Sequence, residues 1–156
     1  MLGLKREFYL NLKKIENYKQ ICKLESLYYQ HGRTTVHKHS RNVAYFSLLL
    51  ARKLEKNFNI KFNYDNLIIG AFLHDLFLYD WHEKSVTHRL HGYRHPLTAS
   101  INAKKMCNVN NEVIKIIQSH MWPLTITKVP ISREAIIVCI VDKIMAIIET
   151  FENIKV

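Results

Sequence analysis

The chain has 156 residues, three cysteines, 48% hydrophobic content and a formal net charge of +10. Its length and composition suit one globular domain with one core, and no stretch approaches the roughly 20 apolar residues of a membrane span. The cysteines (Cys22, Cys107, Cys139) are scattered and form no CxxC pair, which argues against a disulfide framework or a thiolate zinc site. The longest apolar run opens at Ala135 and stops at Asp142, with Cys139 inside it as a core residue. The N-terminus carries no signal peptide, so a cytoplasmic location and no membrane association are expected. Lysines are spread along the chain rather than blocked together. The charge therefore reads first as a solvated exterior and second as a nucleic-acid or anionic-substrate surface.

In chain order, residues 4 to about 29 are amphipathic and predict one or two helices. His31-Gly32-Arg33-Thr34-Thr35 reads as a turn. From His37 to about Asn57, apolar residues including Val43, Leu50 and Leu54 recur at helical spacing. Asn63 opens a further helix that ends at His74-Asp75. Residues 79 to 95 are polar, aromatic and histidine-rich, and read as a loop over a site. Pro96 suits the first turn of the next helix, which runs to about Met106. Asn110 or Asn111 caps another that carries Val113, Ile116 and Ile117 to His120, and Trp122-Pro123 breaks it. Ser132 caps the last helix, which contains Asp142. With no repeat and no convincing strand alternation, the expected fold is all-α.

His74-Asp75 lies between the apolar runs 67–73 and 76–78. A neutral imidazole and a carboxylate in such surroundings are costly to bury unless something pairs with them. A divalent metal does so, because both groups are good ligands. The ordinary alternative is a helix-end histidine beside a capping aspartate. Four further residues weigh against that alternative. His39 starts one predicted helix, His95 starts another, His120 ends a fourth, and Asp142 interrupts an apolar helix. A buried, unpaired Asp142 would shift its pKa or destabilise the fold, and its alternatives are a salt bridge or a metal.

The order His39, His74-Asp75, His95, His120, Asp142, with the contexts His39-Ser40-Arg41-Asn42-Val43-Ala44, Gly70-Ala71-Phe72-Leu73-His74-Asp75 and Val141-Asp142-Lys143, resembles the HD superfamily of metal-dependent phosphohydrolases. The resemblance covers residues 31 to 151, with residues 1 to 30 as a helical extension of a single HD domain. It implies an all-α helical bundle. It implies that His39, His74, Asp75 and Asp142 bind one ion, and that His95 and His120 hold a second, with Asp75 bridging the two and central to catalysis. Two ions about 3.5–4 Å apart can hold a hydroxide nucleophile and neutralise phosphate oxygens. A histidine-rich set suits Fe, Mn, Zn, Co or Ni better than Mg alone.

His37 competes with His39 by spacing, and His91 with His95 if that segment is helical. His82 and His88 read as surface or substrate-side residues. Leu78 stands where some relatives carry a lysine, and Gly92-Tyr93-Arg94 is not the Gly-Tyr-Pro signature of cyclic-dinucleotide phosphodiesterases. Arg94 or Lys143 is a candidate phosphate clamp. Asp80 or Glu83 is a candidate proton shuttle, with Tyr79 a further substrate-side group. Trp81 and Trp122 are candidates to wall the pocket or stack a base, or are plain core aromatics. The expected function is hydrolysis of a small phosphorylated metabolite of nucleotide type. The alternatives are an HD-type di-iron oxygenase with the same ligands and a non-catalytic nucleotide- or metal-binding sensor. The expected partner is the small phosphorylated substrate, nucleic acid is a lesser one, and a homo-oligomer is open.

Overall fold

Helix α1 (Leu2–Leu12) and helix α2 (Tyr18–Glu25) open the chain, in a computed structural model that describes residues 2–31, 33–82 and 90–154. Their apolar side chains Phe8, Leu12 and Ile21 are buried in the same core as the later helices. Two ion pairs, Arg52 with Glu7 at 2.6 Å and Lys14 with Asp65 at 2.7 Å, add to this docking. Both are partly exposed and contribute little beyond orientation.

The segment read as a turn is flanked by two short antiparallel strands, β1 (Tyr29–His31) and β2 (Thr34–Thr35). The all-α expectation holds, since these five residues are the only strand among the described residues. Pairs this short show no alternation long enough to be read from sequence. The Thr35 hydroxyl then accepts from Lys38 N at 3.2 Å and caps helix α3 (Val36–Phe58), which ends at Asn59 in a left-handed conformation (φ 56°).

Helix α4 (Tyr64–Leu73) is capped by Asn63, which accepts from Asn66 N at 3.0 Å. Helix α6 (Asn111–Ser119) is capped by Asn110, which accepts from Val113 N at 3.0 Å. Ser132 accepts from Ala135 N at 3.1 Å at the start of helix α7 (Arg133–Ile154). Such caps are worth about 1 kcal/mol each, and all three fall where the sequence places them. Helix α5 (His91–Cys107) does not: it begins five residues before Pro96, which therefore lies inside the helix. The preference of proline for a first turn is outweighed here by local contacts. His95 Nδ1 donates to the His91 carbonyl at 2.9 Å, and the two rings stack with centroids 4.5 Å apart.

Helix α3 packs on α4 and α7, α4 packs on α6, and α5 on α6. The core between them holds Leu48, Leu67, Phe72, Ile117 and Val138, each worth roughly 1.5–3 kcal/mol on burial. Where α4 packs on α6 at Gly70, an added Cβ would lie 2.8 Å from Ile116 Cγ2. Only glycine lets the two helices meet this way, and both end immediately afterwards in histidine: His74 and His120 are their C-caps. No helix among the described residues is long and apolar enough to cross a membrane.

Candidate metal centre

Six of the sequence-selected residues converge in the interior. His39, His74, Asp75, His95, His120 and Asp142 are all buried, the most exposed of them at 8%. Five elements or their ends deliver them: α3 brings His39, the end of α4 His74-Asp75, the first turns of α5 His95, the end of α6 His120 and the middle of α7 Asp142. Of the competing choices, His37 turns away to a buried carboxylate, Glu25, at 3.6 Å. His91 lies one helical turn before His95 and stacks between it and Trp81.

Each of the four histidines is oriented through Nδ1. His74 Nδ1 donates to the Ala71 carbonyl at 2.7 Å, His120 Nδ1 to the Ile117 carbonyl at 2.7 Å, and His95 Nδ1 to the His91 carbonyl. His39 Nδ1 donates to Glu149 Oε2 at 2.8 Å. Those acceptors hold a proton on each Nδ1 and direct every Nε2 inward. Asp75 sits between them. Its Oδ2 is 3.3 Å from His74 Nε2 and 3.7 Å from His39 Nε2, while its Oδ1 is 3.3 Å from His95 Nε2 and 3.6 Å from His120 Nε2. Asp142 Oδ1 lies 3.1 Å from His39 Nε2 and 3.4 Å from His74 Nε2.

The donor set fits a divalent cation. His95 Nε2 and His120 Nε2 face each other at 2.8 Å, and two neutral rings pinned through Nδ1 would oppose lone pairs there. His74 Nε2 and Asp75 Oδ1 are buried without a hydrogen-bond partner. A buried polar atom in that state costs about 1–3 kcal/mol; a metal removes the cost. Two triads, His39/His74/Asp142 and His74/Asp75/His120, have donor atoms all within 4.8 Å of one another. The two triads overlap at His74, and His95 Nε2 adjoins the second through Asp75 Oδ1 and His120 Nε2.

Electrostatics divides the cluster. Burial alone would lower the His39 imidazole, but the Asp142 and Glu149 carboxylates outweigh it and raise it to about 9. His74 is likewise raised against burial, by Asp75 and Asp142. Burial would raise the carboxyls of Asp75 and Asp142, yet the adjacent imidazoles hold both well below the ordinary range. His120 goes the other way: burial, then the neighbouring His95 and His74, push it down to about 3.

The centre opens into a cavity of about 550 Å³. Asp75, His95, His120 and Asp142 form its base, Trp81 and His91 one wall, and Met121, Leu124 and Ala146 an apolar wall. Lys143 also lines it, with its ammonium donating to the His120 carbonyl at 2.8 Å and the Cys139 carbonyl at 3.1 Å. The Tyr79 hydroxyl and His91 Nδ1 share a hydrogen bond of 2.9 Å. Asp80 accepts from His82 N at 2.9 Å, and Arg94 is exposed on α5. Glu83 and His88 lie outside the described residues. Trp81 walls the cavity, whereas Trp122 lies beside a different hollow, next to Ile136 and Ile140.

Sequence reading missed two supporting residues. Glu149, 1% exposed, binds His39 and also accepts from Asn42 Nδ2 at 3.0 Å. It lies seven residues after Asp142, two helical turns along the same face, and that spacing was the available signal. Gln30 donates to Asp75 Oδ2 at 2.5 Å from strand β1; nothing in the local pattern marks it.

Residues 36–147 match the family model described as HD domain. No curated protein and no solved structure matches the chain.

Proposed function

The chain belongs to the HD domain family, and from that premise we propose that it is a metal-dependent phosphohydrolase that cleaves a small phosphorylated molecule of nucleotide type in the cavity above Asp75. The observation that carries this reading is the convergence of four Nε2 atoms on the two oxygens of one buried carboxylate. His39, His74, Asp142 and Asp75 Oδ2 would hold one ion, and His95, His120 and Asp75 Oδ1 a second. Two divalent ions supply Lewis-acid neutralisation of phosphate oxygens and lower the pKa of a water molecule toward neutrality.

The chain's own residues do the positioning. Gln30 holds the Asp75 carboxylate so that its two oxygens face different histidine pairs. Glu149 and the three backbone carbonyls keep every Nε2 aimed inward without rearrangement when a ligand arrives. Lys143 ties the end of α6 to α7 and sets a positive charge in the cavity wall, where a phosphate would lie. Met121, Leu124 and Ala146 exclude bulk water from that side. The flat Trp81–His91 stack, with ring planes 13° apart and centroids 5.1 Å apart, offers an edge against which a planar base can pack.

The test is metal analysis of the purified protein together with turnover of phosphate esters and nucleotides in the presence of Mn or Co. Asp75→Ala is expected to lose metal and activity while keeping its helical content. An Asp75→Ala protein with full phosphatase activity sinks the reading. Oxygen uptake by the iron-loaded protein without phosphate release would replace hydrolysis by the oxygenase chemistry.

A further inference from the structure

Helix α7 has an outer face that the metal centre does not use. Ile136, Ile140, Ile144, Ile147 and Phe151 are 42%, 47%, 48%, 58% and 61% exposed. They follow one another at intervals of four, four, three and four residues, the spacing of an apolar seam that meets a second helix. Among the described side chains, the charges of α7 from Arg133 to Glu149 point elsewhere. Asp142 and Glu149 face the histidines, Lys143 faces the cavity, Arg133 binds the Lys61 carbonyl and Glu134 accepts from Asn63 N. In a chain with 23 lysines and arginines, a bare aliphatic stripe of four turns is not the pattern of a solvated face.

We infer that this stripe is a homodimer interface in which two α7 helices pair antiparallel about a two-fold axis near Ile144. The stripe has the self-complementarity that such pairing needs. Positions 136 and 151, and positions 140 and 147, share one midpoint, between Lys143 and Ile144. Antiparallel pairing therefore sets Ile147 against Ile140 of the partner subunit and Phe151 against Ile136 of the partner subunit. A matching recess is present: Trp122, Val129, Pro130, Ile136, Cys139 and Ile140 enclose a hollow of about 260 Å³. It lies at the N-terminal end of the stripe, and Phe151 projects at the other end, about 22 Å away at 1.5 Å per residue. A knob and a recess separated along one helix fit each other only across two copies. The stripe residues with Trp122 and Val129 are 39% to 61% exposed, an area of at most roughly 600–800 Å² per copy to cover, against the ~800 Å² that one partner gives to a standard interface.

The experiment is sedimentation of the full chain with single and paired variants. Wild type is expected at twice the chain mass. Ile144→Glu places two carboxylates at the axis and is expected to halve the mass with unchanged helical content and metal content. Ile140→Lys and Ile147→Glu are each expected to give monomer, and the double variant to restore the dimer, since position 140 of one copy meets position 147 of the other. Ile131→Glu, at an 89% exposed residue off the stripe, is expected to stay dimeric. A wild type that is monomeric at every attainable concentration overturns the inference. So does a dimer indifferent to Ile144→Glu, a double variant that stays monomeric, or a monomer whose stripe variants lose only binding to anionic lipid vesicles.

Discussion

His39 and His120 lie on opposite sides of Asp75, and the chain supports them differently. His39, on α3, is held between two carboxylates of the single helix α7, Asp142 and Glu149. His120 is held by a backbone carbonyl at a helix end and faces another imidazole. The first arrangement concentrates negative charge where a cation would sit; the second concentrates neutral nitrogen. Two cation positions about one carboxylate, as proposed above, need not bind equally. The His39 side should take the first ion, and the His120 side a second, more weakly.

The sharpest way to break this comparison is to remove one ligand from each side. Asp142→Ala is expected to abolish tight metal binding, whereas His120→Ala keeps about one ion per chain. Plasma emission analysis after dialysis reads both, and equal losses would erase the distinction. Glu149→Gln is expected to weaken the first ion about 10- to 100-fold, the usual effect of losing a carboxylate behind a ligating histidine. Competition with a chelating dye measures it. Gly70→Ala acts on the other side. In most helices that change stabilises by about 0.5–1 kcal/mol, but the added Cβ meets Ile116 at 2.8 Å. A loss of about 1–3 kcal/mol is expected from overpacking, read by denaturant unfolding and reduced by Ile116→Ala.

The smallest effect is on pH dependence without metal, and there the two sides have opposite signs. His39 titrates at about 9 in the folded chain against an ordinary 6.5. Its contribution is full below 6.5 and is lost as the pH rises through 9. His120, pushed down to about 3, stays neutral while its unfolded counterpart gains a proton, so it costs stability as the pH falls from 6.5 toward 3. Melting of the metal-free protein should therefore lose part of its alkaline decline in His39→Ala and part of its acid decline in His120→Ala. Metal displaces the His39 proton, so the alkaline decline should shrink in the loaded protein.

The ligand set was legible because each member breaks a local rule. His74-Asp75 interrupts two apolar runs, Asp142 interrupts a third, and His120 closes an amphipathic helix. Such violations cluster at functional sites. The helix caps at Asn63, Asn110 and Ser132 were legible for the same local reason. What supports the ligands was not. Gln30 reaches Asp75 across 45 residues of sequence and Glu149 reaches His39 across 110; Gln30 leaves no local mark, and Glu149 leaves only its two-turn spacing from Asp142. The start of α5 was misplaced because the His91–His95 contacts that extend it past Pro96 are specific to those two side chains.

Helix α7 presents three surfaces at once: Asp142 and Glu149 inward, Lys143 and Ala146 to the cavity, and the isoleucine stripe outward. Each residue of an α-helix advances about 100° around the axis. A single insertion between Arg133 and Asp142 would therefore swing all later side chains by more than a quarter turn, presenting the wrong residues to His39 and to the cavity together. Length is thus a fixed quantity within α7, and deletion or insertion scanning along it would test that phase more sharply than substitution.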